Sequence, residues 1–454
     1  MAGGNQLKFF NKGFGKINSV DTVETVFEGS NLREFLLTPG NLLTPLALTS
    51  DDNNHQQMVI QLNNEAEDTT ILLLINMLKS GEFSHTIKLI SFDQFVGSAI
   101  NANFAERNQS LPHNPITYLS LYAPHEGQLA DLVIIPENTN LILSITDGIN
   151  SHVQIKGASE AGIKLILTEK SIWLFGNTVE PELKFNEETI MLTPKRTGFL
   201  IQLSLQLEFI GVINPYSNLL ISEGSENLIE ENNLGSCVVT TDDEKLVLIG
   251  SYLTEENQTS KPYLLVLNEG GEVIFKDRFI HSQSDRNDHI PAVGNYFVPK
   301  DMKINSNGIL LFTAEVRGKY QINEHLSINA EKSSVVLGCA QLLLLNMPRI
   351  DWNWFRVITM KADFPLPKIV LNNYLVSLIL VCKEGKITFD DERKQLNPEK
   401  GGVLLNILDF SGNFLNVKFF TCWVSCVNSI ISNELSTAGI TKSGKFLWLR
   451  QNIS

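Results

Sequence analysis

The sequence predicts an all-β chain folded as a single β-propeller of four-stranded antiparallel blades, seven in number with six as the alternative. Three observations carry that expectation. A pattern of short apolar strands separated by polar turns recurs along the chain. Hairpins inside each copy turn on Ser-Gly, Gly-Gly or Asp-Gly pairs, where glycine supplies the positive φ of a tight turn. The strands read as unbroken apolar runs, as in Ile71-Leu72-Leu73-Leu74-Ile75 and Leu342-Leu343-Leu344-Leu345. Such runs imply burial on both faces of a sheet. The connections are too polar and turn-rich to be crossover helices, so stacking of one thin sheet on two neighbours is the remaining way to bury both faces.

The copies follow in order. The first places strands at Leu42 to Leu48, Met58 to Leu62, Ile71 to Asn76 and Phe83 to Ile90, with a turn at Ser80-Gly81. The second uses Thr117 to Tyr122, Leu132 to Ile135, Leu141 to Ile145 and His152 to Ile155. The third runs through Lys164 to Leu167, Ile172 to Gly176, Gly198 to Leu203 and Leu207 to Ile213; the fourth through Ser236 to Thr240, Leu246 to Gly250, Tyr263 to Asn268 and Val273 to Ile280. A fifth is read at Ile309 to Thr313, Gln341 to Asn346 and Trp354 to Met360, with Gly318 to Ser334 as a long loop. The sixth holds Lys368 to Leu371, Leu378 to Cys382, Val403 to Asp409 and Phe414 to Thr421; the seventh is short, at Ala438 to Thr441 and Phe446 to Leu449. Spread over 454 residues, seven copies take about 65 each.

One helix is expected near 93–107, because Phe92, Phe95, Val96, Ala99, Ile100 and Phe104 recur at helical spacing. The N-terminal segment 1–28 is expected to close the last blade, through Ser19 to Phe27 with Val20, Val23 and Val26, since pairing the two ends removes free edges. The whole of 1–454 is read as one domain.

Leu174-Phe175-Gly176-Asn177, Lys184-Phe185-Asn186, Met191-Leu192-Thr193 and Gly198 to Leu203 resemble the SBBP-type β-propeller repeat of bacterial and large-virus proteins. Ser443-Gly444-Lys445-Phe446-Leu447-Trp448, Ser411-Gly412-Asn413-Phe414-Leu415 and Thr388-Phe389-Asp390 are similar to it as well. The resemblance covers about four of the seven units; Thr313 and Cys382 stand where that family has a glycine. It implies a propeller and no catalytic residue set.

Charge excludes more than it selects. With 36 Lys and Arg against 50 Asp and Glu, the net charge of −14 speaks against a nucleic-acid partner. At 43% hydrophobic and 19% charged residues, the chain is globular. The longest apolar run, Val335 to Leu345, is too short to span a bilayer, and no signal peptide opens the chain, so no membrane insertion is expected. Five cysteines, an odd number, read as buried thiols in a cytoplasmic or otherwise reducing compartment, or in a virion component.

No linear catalytic motif occurs, and no enzyme activity is expected. Asp51, Asp52 and His55 form one polar cluster and Asp285, Asp288 and His289 another, both read as loops at the same rim. No cofactor is predicted; oxygen-rich loops of this kind make Ca²⁺ the candidate ion, against the plainer reading of solvated acidic loops. Trp352 and Trp354, at period two, are expected to share one face of a strand, as a binding hot spot or as packing between blades. The functional expectation is a non-catalytic scaffold that binds a protein partner or belongs to a larger assembly. The alternative is a metal-dependent hydrolase or lyase with its site in the central channel. Carbohydrate binding through exposed aromatics ranks third. Gln283 to Asn295 and Gly318 to Ser334 are the expected contact surfaces.

Overall fold

The structure is a computed structural model. It describes residues 8–11, 15–17, 41–50, 56–64, 69–77, 88–91, 101–107, 116–123, 129–136, 143–144, 152–156, 164–178, 182–185, 188–191, 197–206, 208–213, 232–253, 260–277, 281–282, 296–345, 348–360, 367–371, 376–382, 387–389, 394–396, 402–421, 423–431, 434–441 and 446–452. Among these residues the regular elements are all strands. They form two compact units, one of residues 1–105, 112–156 and 422–454, the other of 106–111 and 157–421.

In the first unit, Asn41–Ser50, Gln56–Asn64, Thr69–Met77 and Lys88–Ser91 make one antiparallel meander. A second is built from Ile116–Ala123, Leu129–Pro136 and His152–Lys156, with Asn101–Phe104 on the outer side of Ile116–Ala123. The third contains Trp423–Ile431, Glu434–Thr441 and Phe446–Asn452, and Lys8–Asn11 adds to it in parallel alongside Phe446–Asn452. Ser19 to Phe27, the segment expected to close this sheet, lies outside the described residues.

Two expectations fail here. The helix near 93–107 is not found over its described part, because Asn101–Phe104 and Glu106–Arg107 are strands. Ala102 and Phe104 alternate with Asn101 and Asn103, so a period of two underlies the helical spacing, and pairing of Asn101 with Tyr122 through Phe104 with Leu119 satisfies the backbone. Residues 92–100 lie outside the described set. The strand expected at Leu141 to Ile145 does not join its own meander. Leu143–Ser144 pairs in parallel with Lys88–Ser91, and His152–Lys156 takes the place beside Leu129–Pro136.

The second unit holds four successive four-stranded meanders. The first is Lys164–Leu167, Ser171–Thr178, Thr197–Ser204 and Phe209–Ile213. The second is Asn232–Thr240, Leu246–Leu253, Ser260–Leu267 and Val273–Asp277. The third is Tyr296–Ile304, Ile309–Gln321, Ser327–Leu343 and Arg349–Met360. The fourth is Lys368–Leu371, Val376–Cys382, Gly402–Leu408 and Phe414–Thr421.

These four sheets stack face to face. Trp173, Phe175 and Leu200 of the first pack on Leu248, Tyr263 and Leu265 of the second. The other face of the second, through Val247, Ile249 and Leu264, packs on Phe297, Leu310 and Phe312 of the third. The third then buries Leu311, Val335 and Leu337 against Ile369, Leu378 and Leu380 of the fourth. The two inner sheets are therefore buried on both faces, which explains Leu246-Val247-Leu248-Ile249: alternate residues enter different cores, and all are fully buried.

A carboxylate ties the third sheet to the fourth. Asp301 is buried, and its two oxygens accept the backbone N–H of Met302 at 3.0 Å and of Ile369 at 2.7 Å. Burial of this acid is tolerated because each oxygen has a donor.

One turn design recurs. Asn268 Oδ1 accepts the N–H groups of Gly270 and Glu272, and Asn305 Oδ1 those of Asn307 and Ile309. Asp409 Oδ1 accepts from Asn413, Thr241 Oγ1 from Lys245 and Ser204 Oγ from Gln206 and Glu208. The hydrogen bond from Asn413 holds the Asp409 carboxyl below its ordinary range. The fourth turn residue has positive φ: Gly271 at 80°, Gly308 at 74°, Gly412 at 79°, and Glu244 at 58°. A left-handed non-glycine residue costs about 1–2 kcal/mol. Glu244→Gly is expected to raise stability by about 0.5 kcal/mol, once the added entropy of an unfolded glycine is subtracted. A urea midpoint that fell instead would show that the Glu244 side chain, which accepts the Glu169 N–H, outweighs the backbone term.

Candidate functional site

Strand order gives the second unit two unlike ends. In an antiparallel meander, the turns after strands one and three fall at one end, and the connection after strand two and the link to the next meander fall at the other. Contacts show that the four sheets share this orientation. At the first end Lys170 pairs with Glu269 at 3.2 Å, and Glu169 N–H donates to Glu244, so turns of neighbouring sheets meet. At the second, Ser260 Oγ donates to the Phe297 carbonyl at 2.8 Å.

The first end is closed by the tight turns at 168–171, 204–208, 241–245, 268–272, 305–309 and 409–413. Polar groups there are matched to one another. Asp243 is lowered from the ordinary carboxylate range; partial burial opposes this, but hydrogen bonds from Lys245 and Thr241 prevail. The second end carries the long connections. Between Thr178 and Thr197 the hairpin Glu182–Phe185/Glu188–Met191 is inserted, and after Cys382 come Ile387–Phe389 and Lys394–Leu396.

A prominent feature of the second end replaces the loop that the sequence predicts over Gly318 to Ser334. It is a hairpin: Ile309–Gln321 and Ser327–Leu343 continue past their sheet, pairing Gly318 with Ala330 and Gln321 with Ser327. Alternation produces it, with Tyr320, Ile322, Ile328 and Ala330 buried between exposed Lys319, Asn323 and Asn329. His281–Ser282 lies along its edge. At its base is a polar cluster. The Tyr296 hydroxyl lies 3.0 Å from Glu315 Oε1 and 2.7 Å from Ser333 Oγ. The Ser333 hydroxyl donates to the same Glu315 oxygen at 3.1 Å, and Lys300 Nζ pairs with Oε2 at 3.4 Å. Burial, with Glu315 beside it, raises the Tyr296 hydroxyl above the usual phenol range.

Trp352 and Trp354 occupy opposite faces of their sheet, contrary to the expectation of a shared face. Cys339 pairs with Trp354 and the adjacent Ala340 with Trp352, so Asn353 is an extra residue and the alternation inverts across it. Trp352 stacks on Phe355 with centroids 5.7 Å apart and meets Phe312 edge-on at 5.8 Å, in the core shared with the preceding sheet. Trp354 is buried in the core shared with the following sheet. Its Nε1–H donates to the Phe410 carbonyl at 2.8 Å, and Arg356 lies 5.7 Å above the ring while donating to the Gly412 carbonyl at 2.6 Å. Packing between sheets is what both indoles do here. Cys339, beside Trp354, has its thiol pushed up to about 11 by burial.

Asp285, Asp288 and His289, and likewise Asp51, Asp52 and His55, lie outside the described residues. Their places in the chain differ. The first set falls in the chain between the second and third meanders of the second unit. The second set joins the first two strands of the opening meander of the other unit. The polar cluster of Tyr296, Lys300, Glu315 and Ser333 was missed by sequence reasoning, because a predicted loop hid the strand that delivers Ser333.

No protein-family model matches the chain, and no curated protein sequence matches it. Solved structures similar to it include a protein of unknown function from Dyadobacter fermentans, 8% identical with a TM-score of 0.41, covering 90% of this chain and 93% of that one. Another is the β-propeller domain of the Trilobed protease from Pyrococcus furiosus, 8% identical with a TM-score of 0.46, covering 91% and 96%. A third is an α-L-arabinanase from Penicillium chrysogenum, 11% identical with a TM-score of 0.34, covering 68% and 92%. Among the described residues no helix is long and apolar enough to cross a membrane.

Proposed function

We propose that this chain is a non-catalytic interaction scaffold of the propeller type, its seven meanders acting as blades, and that it contacts a protein partner through the end bearing the long connections. The observation that supports this most is the asymmetry of the second unit. Among the described residues, one end is reduced to repeated turns whose polar groups satisfy each other, and the other carries the inserted elements, the long hairpin included. Tight turns conserve the stack. Inserted strands add surface that the stack does not require.

The test uses exposed positions at the two ends. The paired changes Lys319→Glu with Asn329→Arg alter the hairpin, and Asp242→Arg with Glu269→Arg alter the tight-turn end. Partner recovered with the tagged protein is expected to fall about tenfold for the hairpin variant and to stay level for the other. Loss at the tight-turn end alone would reverse the assignment. Stoichiometric Ca²⁺ or Zn²⁺ in the purified protein, lost on changing Asp51 and Asp288, would replace the scaffold with the metal-dependent hydrolase or lyase.

A further inference from the structure

We propose that the outer part of the long hairpin, Gly318 to Ala330, opens and closes as a rigid flap about a hinge at Gly318 and residues 331–333, and that Tyr296, Glu315 and Ser333 latch it shut. The inference does not depend on the scaffold reading, since it concerns one element and its own supports.

The hinge is visible in the register. Val316 pairs with Ser334, and the next pair is Gly318 with Ala330. A single residue on one strand, Arg317, thus stands against three on the other. The ladder is interrupted there and resumes beyond. Gly318 has φ of 120°, a conformation that residues with a Cβ rarely adopt. On the side facing Ser327–Leu343 the ladder bonds that would resist bending are missing; on the other side Tyr296 still pairs with Arg317, so the bend falls at Gly318, just beyond it.

Beyond the hinge the hairpin is internally stiff. Gly318 to Gln321 pair in continuous register with Ala330 to Ser327. The tip is closed by Ile322 N–H to the Leu326 carbonyl at 2.9 Å, and Asn323 Oδ1 accepts the N–H groups of His325 and Leu326. An element of this kind, with His281–Ser282 paired along its edge, moves as a unit.

The latch spans the interruption. Ser333 belongs to the three unmatched residues, and its hydroxyl is held by Glu315 and Tyr296, which stand on the two neighbouring strands. Lys300 fixes the second oxygen of Glu315. All four side chains retain partial exposure, so water competes for them.

The closed state carries a cost. The Tyr320 ring sits edge-on to Phe297 with centroids 5.8 Å apart, and the residue is 1% exposed. Its hydroxyl, among the described residues, has no hydrogen-bond partner. Burial accordingly drives that hydroxyl well above the phenol range. Opening would return it to water and uncover a short apolar stripe of Tyr320, Ile322 and Ile328. A buried unsatisfied hydroxyl opposes closure; the burial of Ile322, Ile328 and Ala330 favours it, and the latch adds to that.

Amide hydrogen exchange on the full chain tests this. Amides of 319–330 are expected to exchange well ahead of those of 310–314 in the same two strands. Ser333→Ala and Glu315→Gln should each speed exchange in 319–330 about tenfold and leave 310–314 unchanged. Tyr320→Phe, which removes only the unpartnered hydroxyl, should slow exchange in 319–330 several-fold. The proposal falls if 319–330 exchanges no faster than 310–314 in the wild-type protein. It also falls if Tyr320→Phe speeds exchange, since the hydroxyl would then be stabilising the closed state. The Tyr320→Phe and wild-type measurements decide the matter even if a latch variant fails to fold.

Discussion

Replacing Trp354 with alanine is expected to destabilise the second unit by about 4 kcal/mol, within the range for truncating a buried aromatic residue. Three losses combine. The cavity opens in the core between the third and fourth sheets, where the indole belongs to one cluster with Leu311, Leu337 and Ile369. The Phe410 carbonyl loses the Nε1–H donor that reached it at 2.8 Å. The platform under Arg356 disappears, and with it the support for the bond from Arg356 to the Gly412 carbonyl. Urea unfolding measures the sum. Trp354→Phe should recover most of the packing but not the hydrogen bond, leaving a deficit of about 1 kcal/mol. If the indole served chiefly as a partner contact, alanine would change stability by less than about 0.5 kcal/mol and abolish partner recovery instead. Stability and binding thus separate the two roles that sequence spacing left open.

The second large effect is expected at Gly338. A Cβ built there would lie 2.4 and 2.6 Å from ring atoms of Phe312 and 2.9 Å from Phe355. Phe312 is fully buried among Phe297, Trp352 and Phe355, so it has no open direction in which to yield. Gly338→Ala is expected to cost about 3 kcal/mol, the upper part of the range for overpacking a core. A control comes from Gly211, whose added Cβ meets nothing within 4 Å. Gly211→Ala should stay within about 0.5 kcal/mol of the wild type. If steric overlap is the cause, Phe312→Leu placed in the Gly338→Ala chain should recover part of the loss. A double variant less stable than either single one would locate the role of Gly338 elsewhere.

Much of the fold was legible because inner strands buried on both faces leave a dense apolar record. Lys164–Leu167, Lys368–Leu371 and Phe414–Thr421 have the bounds that their composition announces. Errors arose where pairing, not composition, decides. Asn101–Phe104 carries a period of two that a longer helical spacing masks, and its partner across the sheet settles the matter. Residues 318–334 look like a loop because polar Lys319, Asn323 and Asn329 dilute the apolar ones, yet those polar residues are the exposed half of a regular alternation. The Trp352 and Trp354 pair was misplaced by one inserted residue, and a bulge leaves no mark in sequence that a strand does not also leave. The candidate cluster depends on the same strand as the misread loop. Tyr296, Lys300, Glu315 and Ser333 come from three strands and meet only once the hairpin is in register.

The division of the chain bears on how it is made. Residues 157–421 supply nearly all of the second unit, whereas the first draws on 1–105, on 112–156 and again on 422–454. A ribosome therefore releases the described strands of the second unit before residues 422–454 of the first emerge. Lys8–Asn11 pairs locally with Gly15–Ile17 on one edge but must wait for Phe446–Asn452 before the other is occupied. Translation thus imposes an order on assembly: the unit whose first strands emerge earlier is completed only after the one nested inside it.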